Sequence, residues 1–195
     1  FWITINEPEI WASHAYLKGV WPPQKRSMVT FLCVTGNLAA AHRGAYCGIR
    51  KINPHAQVGI AKHNIYFEAA GGWLWSWNRF LKFIADWWWN FSFLNRIRDH
   101  QDFIGLNHYL HNRINGWFNR NRNERMSEFG WELYPEGVYH ALIELKSYGK
   151  PIYITENGLA DAHDEQRAWY ITEILRNVHR AIRGGVDVRG YLYWS

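Results

Sequence analysis

The sequence predicts an α/β fold built on a parallel sheet. Three observations lead there. Short apolar runs rich in Ile, Val and Tyr alternate with longer stretches of helical periodicity. The runs are apolar throughout, as strands covered on both faces require. Several of them stop on polar residues, the edge where parallel sheets gather their chemistry. About five parallel strands alternating with helices are expected, and an open doubly wound sheet and a partial (β/α)8 TIM barrel fit this order equally well.

The first run, Phe1 to Ile5, reads as the end of a buried strand closed by Asn6-Glu7-Pro8. Glu9 to Leu17 reads as a short helix or turn, followed by a loop with Gly19, Pro22 and Pro23. From Val29 to about Lys51, Phe31, Val34, Leu38, Ala41, Ala45 and Ile49 recur at helical steps and predict one buried face. Gln57 to His63 is the next strand.

Trp73 to about Arg98 is helix-like and strongly aromatic. Trp87, Trp88 and Trp89 lie about 100° apart on a helix, so they cannot share one face. They read as packing residues, with at least one near a second layer or the surface. Asp102 to Asn107 is a strand with Tyr109 just beyond it. His111 to Ser127 reads as a polar loop. Pro135 to Tyr148 is a helix, with proline in its first turn and Gly149 at its exit. Ile152 to Thr155 is a strand stopped by Glu156-Asn157-Gly158. Asp164 to Arg183 is a helix with Ile171, Ile174, Leu175, Val178 and Ile182 on one face. "VRGYLYWS" is the last strand.

Composition narrows the function classes. An apolar share of 48% and a charged share of 20% are those of a globular chain. The 13 Trp among 195 residues are unusual. Composition alone favours packing over sugar contact for them. The formal charge of +5 raises nucleic acid as a partner. Its densest basic stretch, with Arg113, Arg120, Arg122 and Arg125, is Asn-rich and aperiodic, so it reads as a solvated loop; no nucleic-acid partner is expected. Cys33 and Cys47 fall on one helix, about 21 Å apart, whereas a disulfide needs Cα atoms within about 7 Å. Nothing demands an oxidising compartment, which favours the cytoplasm without fixing it. No uncharged apolar window of about 18 residues exists, so no membrane span is expected.

The polar strand ends carry the chemistry. Two strands end on a glutamate, "WITINE" at Glu7 and "IYITE" at Glu156. A third ends in "GLNHY" and a fourth in "YLYWS". One rim would then gather Asn6, Glu7, Asn107, Tyr109, Glu156 and Trp194. Two carboxylates with amides, a phenol and an indole suit a neutral polyol better than a phosphate. Cleaving a glycosidic bond needs two carboxyl groups, one to protonate the leaving oxygen and one to attack the anomeric carbon or activate water. A lone glutamate after a strand is more often a cap or an ion-pair partner; two such ends favour chemistry.

"WITINEP" and "YITENG" resemble the paired signatures of the family 1 glycoside hydrolases, the β-glucosidase and β-galactosidase family. "NLAAAHRGAY", "HQDFIGLNHY", "GWELYPEGVYHAL" and "GVDVRGYLYWS" resemble further segments of that family, in its order, over nearly the whole chain. The resemblance implies a (β/α)8 barrel and a retaining double displacement on a small β-glycoside, with no metal and no cofactor. It implies Glu7 as acid/base and Glu156 as nucleophile. It gives Asn6 to the sugar 2-hydroxyl, Tyr109 to a hydrogen bond on the nucleophile and Trp194 to a platform beneath the sugar. Asn107 is expected to orient the acid/base region. His108 stands where many relatives carry Tyr, with no mechanistic effect expected.

By the same resemblance, residues 1–195 form one incomplete catalytic domain running from the family's fourth strand into its eighth. A barrel short of three strands has two open edges, so the isolated polypeptide is expected to be inactive. The alternative to an enzyme is a non-catalytic carbohydrate-binding protein on the same fold. Sugar identity and oligomeric state are not legible.

Overall fold

The computed structural model describes residues 1–194. Five strands form one parallel sheet: β1 (Trp2–Asn6), β2 (Val58–His63), β4 (Phe103–Asn107), β6 (Ile152–Asn157) and β7 (Val188–Tyr193), in the order β1-β2-β4-β6-β7. Each crossover adds its strand to the same edge. A doubly wound sheet would reverse direction partway. The unbroken order is that of a (β/α)8 barrel wall and decides between the two architectures that the alternation left open.

Between these strands run α1 (Pro8–Ala12), which continues as a π-helical turn over Ser13–Leu17, and α2 (Met28–Ile52). Next come α3 (Trp75–Ala85), a π-helical stretch over Asp86–Phe91 and α4 (Ser92–Ile97). Helices α5 (Glu136–Leu145) and α6 (Arg167–Arg183) follow. Ser27 caps α2 by accepting the Thr30 N–H at 3.2 Å. Asp161 does the same work ahead of α6, accepting the N–H groups of Glu165, Gln166 and Arg167. No helix among the described residues is long and apolar enough to cross a membrane.

The core lies where the helices meet the sheet. Ile60, Ile104, Leu106, Ile152 and Ile154 meet Leu94, Ile97, Leu142, Leu145, Ile174 and Val178. Strands β2 and β4 are buried along their full length. The outer strands differ. β1 is half exposed, with Trp2 and Ile3 open, and Leu192 of β7 is exposed. The expectation of a buried first strand is corrected: β1 has a sheet neighbour on one side only among the described residues.

Two helix faces also differ from the periodicity. On α2 the buried line is Phe31, Thr35, Ala39 and His42, while Ala41 is exposed. The polar members are admitted because His42 is satisfied: its Nδ1 lies 2.6 Å from Thr4 Oγ1 and its Nε2 donates to the His100 carbonyl at 2.7 Å. On α6 the buried line is Tyr170, Ile174, Val178 and Ala181, and Leu175 and Ile182 face outward. Cys33 and Cys47 both lie on α2, free and exposed.

The segment read as a polar loop contains structure. β5 (His111–Ile114) pairs in parallel with β3 (Tyr66–Ala69) in a two-stranded sheet. Its charged letters hid it, because His111 is locked between Glu132 Oε2 at 2.6 Å and Glu68 Oε2 at 3.0 Å. The asparagines that follow are structural. Asn119 and Asn123 adopt positive φ, which Asn tolerates better than most residues, and Asn121 Nδ2 donates to the His111 carbonyl.

The packing expectation for the tryptophans holds in part: Trp88 stacks on Phe31, and Trp89 and Trp169 pack against the buried clusters. None of the 13 belongs to the buried core. Trp73 is 92% exposed, and Trp21, Trp88, Trp89, Trp131 and Trp194 line one cavity at the carboxyl edge of the sheet.

Candidate active site

Glu7 follows directly on β1. Its N–H donates to the Ala61 carbonyl of β2 at 2.8 Å, which extends the ladder by one residue. Its backbone then turns left-handed, φ 45° and ψ 59°, and Pro8 opens α1. A glutamate with positive φ is uncommon, and such strain is held at functional sites by surrounding structure. The turn throws the Glu7 carboxyl over the sheet edge. There Asn107 Nδ2 donates to Glu7 Oε1 at 3.0 Å and to Asn6 Oδ1 at 3.1 Å. Asn107 Oδ1 accepts from Thr155 Oγ1 at 2.6 Å, so the amide is oriented from both ends.

Glu156 sits near the end of β6, opposite Asn107 of β4, at a register irregularity that follows Leu106. Its carbonyl accepts the His108 N–H at 3.0 Å. Its Oε2 accepts the Tyr109 hydroxyl at 3.0 Å. Glu7 and Glu156 face the same cavity of about 890 Å³, lined also by Tyr109 and Trp194.

Burial raises the Glu7 pKa above the usual carboxylate value; the Asn107 hydrogen bond opposes this, the Glu156 charge adds to it, and the Lys62 charge opposes it. Burial, then the Glu156 charge, pushes the Tyr109 phenol upward, so it stays a hydrogen-bond donor.

Trp194 reaches the cavity because of a close backbone approach. Its N–H donates to the Asn157 carbonyl at 2.9 Å. A Cβ on Gly158 would lie 1.5 Å from the Trp194 carbonyl oxygen, so only glycine fits there.

Of the six residues named from the sequence, Glu7, Tyr109, Glu156 and Trp194 line the cavity. Asn6 and Asn107 stand beside it, joined to each other and to Glu7. Sequence reasoning missed much of the wall. Trp88 and Trp89, assigned to packing, line the cavity as well as packing: Trp88 stacks on Phe31 and Trp89 Nε1 donates to His63 Nδ1 at 3.3 Å. Trp131 lies in "GWE", a quoted segment with no role attached, and stands 5.9 Å from the Tyr109 ring. His63 is held neutral, its pKa pushed down to about 3 by burial and the Lys62 charge. His108 is likewise pushed down to about 4 by burial, and its Nδ1 donates to the Asn64 carbonyl at 2.9 Å. Among the described residues no group of three or more His, Cys, Asp or Glu could hold a metal ion.

Comparison with known proteins finds relatives over the whole chain. The family model for glycosyl hydrolase family 1 matches residues 1–94 and 90–195. A beta-galactosidase of Sulfolobus acidocaldarius is 31% identical over 228 residues, covering 98% of this chain and 45% of that protein. Among solved structures, Fpglu1 from Fervidobacterium pennivoraus superposes with a TM-score of 0.89 at 29% identity, covering 100% of this chain and 47% of the other. The beta-glycosidase from Pyrococcus horikoshii superposes with a TM-score of 0.86 at 34% identity, covering 97% and 49%. The chain thus spans just under half the length of these relatives.

Proposed function

The chain belongs to glycosyl hydrolase family 1, and from that membership we propose that it carries the two catalytic carboxyls of a retaining β-glycosidase acting on terminal glucose- or galactose-type sugars. The observation that carries the reading is that Glu7 and Glu156 open on one cavity, each held by a different donor, Asn107 for Glu7 and Tyr109 for Glu156.

In this reading Glu156 attacks the anomeric carbon while neutral Glu7 gives its proton to the leaving oxygen. The glycosidic bond breaks as the glycosyl–Glu156 ester forms. Glu7, now a carboxylate, takes a proton from water, whose oxygen attacks the anomeric carbon and releases Glu156. Two displacements return the sugar with its β configuration, and they need carboxyls about 5–5.5 Å apart. The Tyr109 hydroxyl steadies the Glu156 carboxylate before attack and after release. The Asn6 amide is assigned to the sugar 2-hydroxyl and the Trp194 ring to the sugar face. The mechanism asks for no cofactor.

Residues 1–195 constitute, in the same reading, one incomplete catalytic domain spanning about strands four to eight of the family barrel. Outer strands β1 and β7, each paired on one side only among the described residues and carrying exposed apolar side chains, support it. The isolated polypeptide is accordingly proposed to be inactive. The test uses the protein expressed from its complete open reading frame. It should hydrolyse an aryl β-glucoside or β-galactoside, and a 2-fluoro glycoside should label Glu156. Turnover by Glu156→Gln equal to the parent, or a label on another peptide, would sink the assignment.

A further inference from the structure

Behind the carboxyls lies a buried ion pair that the double displacement does not require. Lys62 is the second-last residue of β2, and its side chain is fully buried. Its Nζ donates to the carbonyls of His63 at 2.6 Å and Trp89 at 2.8 Å, and lies 3.3 Å from Glu9 Oε1. Two of the three ammonium hydrogens are thus taken by carbonyls, and the charge faces the Glu9 carboxylate. Glu9 is itself buried on α1, two residues after Glu7, and neither of its carboxylate oxygens has a hydrogen-bond partner among the described residues, so its contact with Lys62 is an ion pair. Burial draws each partner toward its neutral form, and their mutual attraction opposes it. A buried pair of this kind stabilises a fold no better than apolar side chains of the same volume, so stability alone gives no reason for it.

We propose that Lys62 is a positioning residue for the acid/base: through Glu9 it fixes the turn carrying Glu7, and through the Trp89 carbonyl it fixes the cavity wall. The inference rests on the reading of Glu7 as acid/base given above. In the first displacement the Glu7 O–H bond breaks, the proton moves to the leaving oxygen, and a carboxylate remains. Lys62 is the cation whose charge favours that carboxylate, against burial and the Glu156 charge. The other groups around the pair do not replace it. His63 is held neutral, and Arg96 on α4 acts on Glu9.

The informative variant is Lys62→Met/Glu9→Leu, made in the protein expressed from its complete open reading frame, because it removes both charges and leaves apolar side chains of similar volume. The 13C titration of the Glu7 carboxyl, assigned with Glu7→Gln, is the direct readout. It should move to higher pH, the basic limb of kcat/KM should move the same way, and kcat should fall about tenfold. Glu9→Gln keeps the lysine and removes its counter-charge. In that variant the Glu7 titration should stay at or below the parent value. A Glu7 titration unmoved in the double variant, or raised in Glu9→Gln, overturns the proposal. The titration is read whether or not the parent turns over a glycoside. Absent turnover therefore counts against the proposed function, and an unmoved titration counts against Lys62.

Discussion

Asn107 Nδ2 donates to Glu7 Oε1 at 3.0 Å, across one hundred positions of sequence. The same amide holds Asn6 and is held by Thr155. A single side chain on β4 thereby clamps the turn after β1 and touches the strand that carries Glu156. Its hydrogen bond favours the ionised form of Glu7. Asn107→Ala should raise the Glu7 pKa and shift the basic limb of kcat/KM to higher pH. A hydrogen bond to a charged group contributes about 1.5–3 kcal/mol, so kcat should fall roughly ten- to a hundredfold. An unchanged basic limb would show that the amide only packs.

The two carboxyls are coupled, since the Glu156 charge raises the Glu7 pKa. Glu156→Gln removes that charge, and Glu7 should titrate at lower pH than in the parent. Carboxyl 13C titration of the two proteins decides it. The same displacement has a consequence for stability. Glu7 has a folded pKa above its unfolded one, so its contribution is fully present below the usual carboxylate value of 4.5. It is lost as pH rises through the raised folded value. At neutral pH the site is therefore under load, and Glu7→Gln should raise the melting temperature by a few degrees while abolishing hydrolysis of poorly activated glycosides. An unchanged or lower Tm at neutral pH would contradict this.

Tyr109 is held as a phenol beside Glu156. Tyr109→Phe keeps the ring against Trp131 and deletes only the donor. The expected loss in kcat/KM is roughly ten- to a hundredfold, with retained product stereochemistry by 1H NMR. Inverted product would remove Glu156 from the nucleophile role.

Gly158 is the point where the chain after the last strand meets the turn that follows Glu156. With a Cβ only 1.5 Å from the Trp194 carbonyl oxygen, Gly158→Ala must move backbone. Overpacking of this order costs about 1–3 kcal/mol, visible in denaturant unfolding. Because Trp194 moves with it, KM for an aryl glycoside should rise more than kcat falls. Wild-type stability in that variant would mean that the approach relaxes freely.

The sequence by itself determined the alternation of strands and helices and the family, and it singled out two glutamates that the fold brings onto one cavity. These are local properties. Apolar runs, proline and glycine positions, and short motifs around each strand end are written in contiguous letters. Strand order was not local. It emerged only when each crossover was seen to add to one edge, which selected a barrel wall over a doubly wound sheet. Helix faces on α2 and α6 shifted for a similar reason. His42 can be buried once Thr4 and the His100 carbonyl satisfy it, and neither partner is near in sequence. Five tryptophans line the cavity and others are exposed, because composition counts aromatic area without saying which side of a helix faces water. Lys62 and Glu9 were invisible as a pair because an ion pair is defined by distance in space, and only the tertiary fold brings those two charges within 3.3 Å.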